Sequence, residues 1–115
     1  MKDNKKDNYE SLNHIQKAIS EIETFTHNIK KNEFIKNPLL TSAVLFQFSV
    51  VGEAIVHIDN YFLDKYEYPW YKVRAFRNLI SHEYFQIKLD AVWDIIINDL
   101  PELKRVIDRI LDDEF

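Results

Sequence analysis

The chain contains no cysteine, one glycine and three prolines among 115 residues. Without cysteine there is no disulfide framework and no thiolate metal site, a usage that fits a reducing compartment; the expected location is the cytoplasm. The single glycine, Gly52, excludes a glycine-rich phosphate loop, a dinucleotide-binding fingerprint and a nucleophile elbow. It also leaves few hairpin turns, and no segment alternates as a strand would. No two of the four histidines are three or four residues apart, and HExxH is absent, so neither a bound metal nor any other cofactor is expected. No run approaches the roughly 18 apolar residues of a membrane span, and no apolar segment follows the N-terminal lysines as in a secretory leader. No membrane partner is expected.

What remains is the composition of a globular protein, 46% hydrophobic and 30% charged, long enough for one core and too short for two. Residues 1–8, MKDNKKDN, read as a flexible end, and 9–115 as a single helical domain. The net charge of −4 is uneven: residues 69–88 carry Lys72, Arg74, Arg77 and Lys88 against Glu83 alone, a local +3 on a remainder of −7. Such a patch suits a phosphate backbone, and equally a solvated helix face.

Apolar spacing of three and four residues indicates helix throughout. Tyr9, Leu12, Ile15, Ile19, Ile22, Phe25 and Ile29 define a first helix, expected to end near Lys30 and Lys31. Asn37 and Pro38 read as N-cap and first position of a second, running through Leu40, Val44, Phe48, Val51, Ile55 and Ile58. Its stretch AVLFQFSVVGEAIV is apolar on more than one face, so it should be the most buried helix. Gly52 sits inside it at a cost of about 1 kcal/mol relative to alanine, which points to a close helix crossing or to backbone room beside a site. Residues 59–69 read as a connection that packs. A third helix spans about Trp70 to Ser81 or His82, and Asp90 is the expected N-cap of a last one. Pro101 must kink that last helix or restart it. The fold class is therefore all-α, an up-and-down bundle of four to five helices.

Candidate chemistry is concentrated in RNLISHEY, residues 77–84. Arg77 is a permanent cation, His82 a group of the type that titrates near neutrality, and Tyr84 a phenol. On a continuous helix Asn78 and His82 share a face, so the Asn78 amide could orient the imidazole, and Arg77 shares a face with Tyr84. Arg77 and His82 diverge by about 140°. A long arginine bending over the helix end could bring them together, as could a symmetric dimer apposing two copies of the segment. Glu53 reads as an interior carboxylate paired with a cation, one that could hold Arg77. Lys72 and Arg74 are candidate RNA contacts.

These residues resemble the HEPN superfamily, and within it the HepT-type toxins, whose motif of arginine, asparagine, three residues, histidine, any residue and tyrosine is met here from Arg77 to Tyr84 without departure. The likeness extends to Gly52–Glu53–Ala54, to Pro69–Trp70, and to DAVWDII and LPEL around Trp93 and Pro101; the first 30 residues match only as an amphipathic helix. The resemblance implies a metal-independent endoribonuclease, the toxin of a type VII-like toxin–antitoxin pair. It implies catalysis by Arg77 and His82 at a homodimer cleft, with support from Asn78 and Glu53. Its antitoxin would be a nucleotidyltransferase similar to the MntA type that transfers AMP to Tyr84. Some similar chains have instead been described as non-catalytic substrate-binding subunits of nucleotidyltransferases.

Overall fold

The computed structural model describes residues 5–115, and every regular element among them is helical. Helix α1 (Lys5–Phe25) contributes the stripe Leu12, Ile15, Ile19 and Ile22 to the core, each nearly or completely buried. It begins earlier than the sequence indicates. Of the expected flexible end, residues 1–8, residues 1–4 lie outside the described residues, whereas 5–8 are helical and Asn8 is 2% exposed. The Asn8 side-chain oxygen Oδ1 accepts the backbone N–H of Asp59 at 2.7 Å, and its Nδ2 donates to the Asp59 carboxylate at 3.2 Å. The helix also ends early, because Asn28 adopts the left-handed conformation (φ 58°) that asparagine tolerates better than most residues. Lys30 then serves as N-cap of a short helix α2 (Lys31–Ile35), with its N–H donated to Glu33 at 2.8 Å.

Helix α3 (Pro38–Val56) opens as expected: the Asn37 side chain accepts the Leu40 N–H at 3.0 Å and Pro38 occupies the first turn. It is central, packing against α1, against α2 and against α5 (Trp70–His82). One expectation for it needs correction. Contrary to the reading of the sequence, it is long and apolar enough, by length and composition, to cross a membrane. Here its inner face is core, with Val44, Leu45, Val51 and Ile55 buried. It holds the most buried residues of any described helix, as expected, yet Leu39 and Phe46 on its second apolar face are 82% and 63% exposed.

The connection to α5 packs through one turn of helix, α4 (Asn60–Leu63), which buries Phe62 and Leu63. The Trp70 indole N–H donates to the carbonyls of Leu63 and Tyr66, fixing the start of α5 against it. The last rod consists of α6 (Leu89–Asp94), a π turn over Ile95–Asp99 and α7 (Leu100–Glu114). The residue before α6 is Lys88, and Asp90 lies in the first turn rather than at the cap. Pro101 restarts the helix, and the wider turn before it absorbs the missing N–H and the ring. Helix α7 runs antiparallel to α1, with Gln16 bonded to Asp108 and Glu23 to Lys104. The result is a bundle of four long helical segments with α5 on its outside, where Trp70 is its one buried residue.

Candidate active site at the C-terminal end of α5

Gly52 and Arg77 meet where α3 and α5 cross. A Cβ on Gly52 would lie 2.2 Å from the Arg77 Cβ and 2.7 Å from its Cγ, so only glycine lets the arginine stem lie directly on the α3 backbone. Both sequence alternatives for Gly52 are therefore one fact: the close crossing is also the room beside Arg77. The next residue along α3 receives the guanidinium. Arg77 Nε donates to Glu53 Oε1 at 3.1 Å and Nη2 donates to the same oxygen at 2.5 Å, while Nη1 donates to Asn78 Oδ1 at 2.9 Å. An arginine has five N–H donors, so two remain available for a ligand. The Arg77 hydrogen bond, and next its charge, hold the Glu53 carboxyl below its ordinary value, with a smaller contribution from His57. His57 lies four residues along α3, its Nε2 3.5 Å from Glu53 Oε2.

Arg77 and Glu53 border an open groove of about 400 Å³ between α1, α3 and α5. Its walls include His14, Ser49, His57 and Ser81, and Phe46 stands at its rim. Neither His82 nor Tyr84 lines it. Asn78 does not orient His82 as expected; its oxygen is taken by Arg77. His82 is the last residue of α5 and exposed, with no side-chain hydrogen bond among the described residues. The helix then breaks at Glu83, and Tyr84 falls in a separate 3₁₀ turn (Tyr84–Gln86), so the face expected to join Arg77 to Tyr84 does not continue that far. Tyr84 is 43% exposed.

Arg74 is half-buried one turn before Arg77 on the same helix. Lys72 points elsewhere, into a cleft between α5 and the π turn that it shares with Asp99. Among the described residues no group of three or more His, Asp or Glu is arranged to hold a metal ion. The sequence reading passed over His57, although its spacing of four from Glu53 was visible, and over His14 and Ser81, which only the packing of α1 and α5 on α3 brings together.

Residues 15–110 match the family described as Ribonuclease HepT-like. Among curated proteins the chain is similar to a Methanocaldococcus jannaschii protein named as a putative RNase, 33% identical over 95% of this chain and 91% of that protein. It is also similar to a probable ribonuclease HepT of Thermococcus cleftensis, 29% identical over 92% and 97%. A third relative, a gamma-glutamylcyclotransferase and RNase-named protein of Methanocaldococcus jannaschii, is 31% identical over 89% of this chain, which spans 46% of that relative's length. No solved structure gives a significant match.

Proposed function

The chain belongs to the Ribonuclease HepT-like family, and on that premise we propose that it is a metal-independent endoribonuclease whose site forms when two copies meet. The observation that carries this reading is the Arg77 guanidinium, held by Glu53 and Asn78 at the edge of an open groove with two N–H donors to spare. RNA supplies its own nucleophile. A neutral His82 imidazole takes the proton of a 2′-hydroxyl, whose oxygen attacks the adjacent phosphorus, and an imidazolium returns a proton to the departing 5′-oxygen. The products are a 2′,3′-cyclic phosphate and a 5′-hydroxyl end. Arg77 stabilises the charge that accumulates on the phosphorane oxygens.

Within one protomer Arg77 borders the groove and His82 does not. A second copy supplies what is missing. The exposed Leu39 and Phe46 lie seven residues apart on one face of α3, and Phe46 stands beside Glu53 in the groove. A twofold contact through this face would cover apolar surface that the chain leaves open and bring two Arg77 and two His82 side chains to one cleft. Arg74, and more remotely Lys72, add positive charge for the RNA backbone.

Regulation rests on Tyr84. A partner nucleotidyltransferase of the MntA type would join the Tyr84 oxygen to the α-phosphorus of ATP and release pyrophosphate, the phenolic proton being lost. The added nucleotide brings bulk and negative charge to the end of α5, excluding RNA by occupancy and repulsion. Toxin and antitoxin acting on cellular RNA would reside in the cytoplasm.

The test is cleavage of RNA in excess EDTA by the unmodified protein and by His82→Ala, with intact mass measured after treatment with the partner and ATP. Cleavage that needs His82 and disappears as AMP is added to Tyr84 is the expected result. No cleavage and no added mass would leave a non-catalytic binding subunit.

A further inference from the structure

The turn after α5 carries a side chain that neither the core nor the proposed reaction uses. Phe85 is 99% exposed, the highest value among the exposed large apolar residues. Its position is nevertheless fixed. Gln86 donates its N–H to the Glu83 carbonyl at 2.8 Å and Ile87 donates to that of Tyr84 at 3.2 Å, while the Ile87 side chain packs against the core on the other side of the turn. A hydrogen-bonded turn with one apolar anchor therefore holds a phenyl ring out in solvent. The Tyr84 ring stands nearly perpendicular to it, with centroids 6.0 Å apart and planes at 86°.

Two kinds of partner could cover such a ring, a protein surface or a nucleobase. A protein interface needs contiguous apolar surface at its centre. Phe85 offers little, since Glu83, Gln86 and Lys88 around it in sequence are exposed and polar and its one aromatic neighbour is the 43% exposed Tyr84. The contiguous apolar face lies on α3, at Leu39 and Phe46. The stretch that ends here is cationic in sum: residues 69–88 carry a net +3 on a chain of net −4, with Glu83 and Lys88 the charges nearest to Phe85 in sequence. An exposed aromatic ring on a hydrogen-bonded turn, at the end of a cationic stretch, suits a polyanion with flat, unstacked bases.

We propose that Phe85 stacks on an unpaired nucleobase neighbouring the phosphate gripped by Arg77, and that this stack restricts the site to single-stranded RNA. The proposal rests on the ribonuclease reading and adds a substrate class and a specificity residue to it. From Arg77 to the end of α5 at His82 the helix rises only about 7.5 Å, and Phe85 follows three residues later in the turn. Stacking discriminates by strand state rather than by base, because every base has a face and a duplex hides it.

The experiment places Phe85→Ala, Phe85→Leu and Phe85→Trp in the His82→Ala background, so that binding is read without cleavage. A labelled RNA of about a dozen nucleotides, unpaired or annealed to its complement, is titrated at fixed salt. Phe85→Ala is expected to weaken binding of the unpaired strand by about 5- to 150-fold and to leave the duplex unaffected. Phe85→Leu should not restore the loss, whereas Phe85→Trp should, with its fluorescence quenched by the bound strand. Tyr61→Ala, which removes a 64% exposed ring near the opposite end of α5, should change nothing. Unaltered binding by Phe85→Ala would overturn the proposal. So would full rescue by leucine, or dissociation of the oligomer by Phe85→Ala in sedimentation, since either assigns the ring to a protein contact. If the parent binds no RNA and the unmodified protein cleaves none, the ribonuclease reading itself has failed and the stack falls with it.

Discussion

Replacing Gly52 by alanine should separate stability from activity more sharply than any other single change. The new Cβ would lie 2.2 Å from the Arg77 Cβ, where ordinary carbon–carbon contact is about 3.5–4.0 Å, so one of the two must retreat by more than about 1 Å. The Arg77 Cβ is fixed by its backbone and cannot swing away, so α5 itself must shift on α3. Two terms of opposite sign then set stability: alanine gains about 1 kcal/mol of helix propensity, and overpacking costs about 1–3 kcal/mol. The net is a loss between about 0 and 2 kcal/mol, a fall of no more than roughly 10 °C in Tm for a chain of this size. Activity has no such compensation. A displacement of about 1 Å in a group that must meet a transition state can cost on the order of 100-fold. Cleavage kinetics, thermal melting and the NMR resonance of the Arg77 Nε–H, which reports the Glu53 bond directly, should therefore show a large catalytic loss, a small melting change and a shifted resonance. A Gly52→Ala protein that melts higher, cleaves as before and keeps that resonance would refute the crossing argument.

Other outcomes follow from the same geometry. His82→Ala should lower cleavage by about 10²–10⁴-fold, whereas Tyr84→Phe should still cleave yet gain no AMP mass after treatment with the partner enzyme. Because the folded Glu53 carboxyl lies below its ordinary value of 4.5, its contribution is present above that value and lost only as the pH falls through the lower folded one. An NMR titration of Arg77→Ala should find the Glu53 midpoint raised, and an unmoved midpoint would deny the pair. Phe34, fully buried and 5.3 Å from the Trp93 ring, should cost about 3–5 kcal/mol in denaturant unfolding when cut to alanine. Phe46→Arg should lower the mass seen in sedimentation equilibrium with little change in melting of the monomer, since the ring is already 63% exposed.

Much of the fold was legible because local rules acted alone. Asn37 and Pro38 marked the start of α3 by a cap that needs no tertiary partner, and Pro101 announced a restart that the π turn supplies. The end of α1 was not legible: Ile29 continues the apolar spacing past the turn, so periodicity ran on while Asn28 reversed the backbone. Periodicity also cannot tell a buried apolar face from one left open: α3 holds the most buried residues of any described helix, as expected, and still leaves Leu39 and Phe46 to solvent. At the site, the motif residues were visible as types but their partners were not. Asn78 was close enough on the helix to serve His82, yet the neighbouring guanidinium takes its oxygen, and that outcome depends on Glu53 arriving from another helix. Glycine at position 52 made sense only once Arg77 was seen lying on it.

The central claim is that Arg77 and His82, of which only Arg77 borders the groove within one protomer, work together in a cleft made by two. Mixing Arg77→Ala with His82→Ala and allowing subunits to exchange tests it directly, because about half of the resulting dimers carry one intact arginine and one intact histidine on different copies. Each parent alone should be strongly impaired, and the mixture, whose mixed dimers keep one Arg77 and one of the two histidines, should cleave RNA in EDTA above either parent though below the unmodified protein. If the unmodified protein cleaves and exchange is complete, yet the mixture stays as inactive as its parents, the shared cleft is wrong.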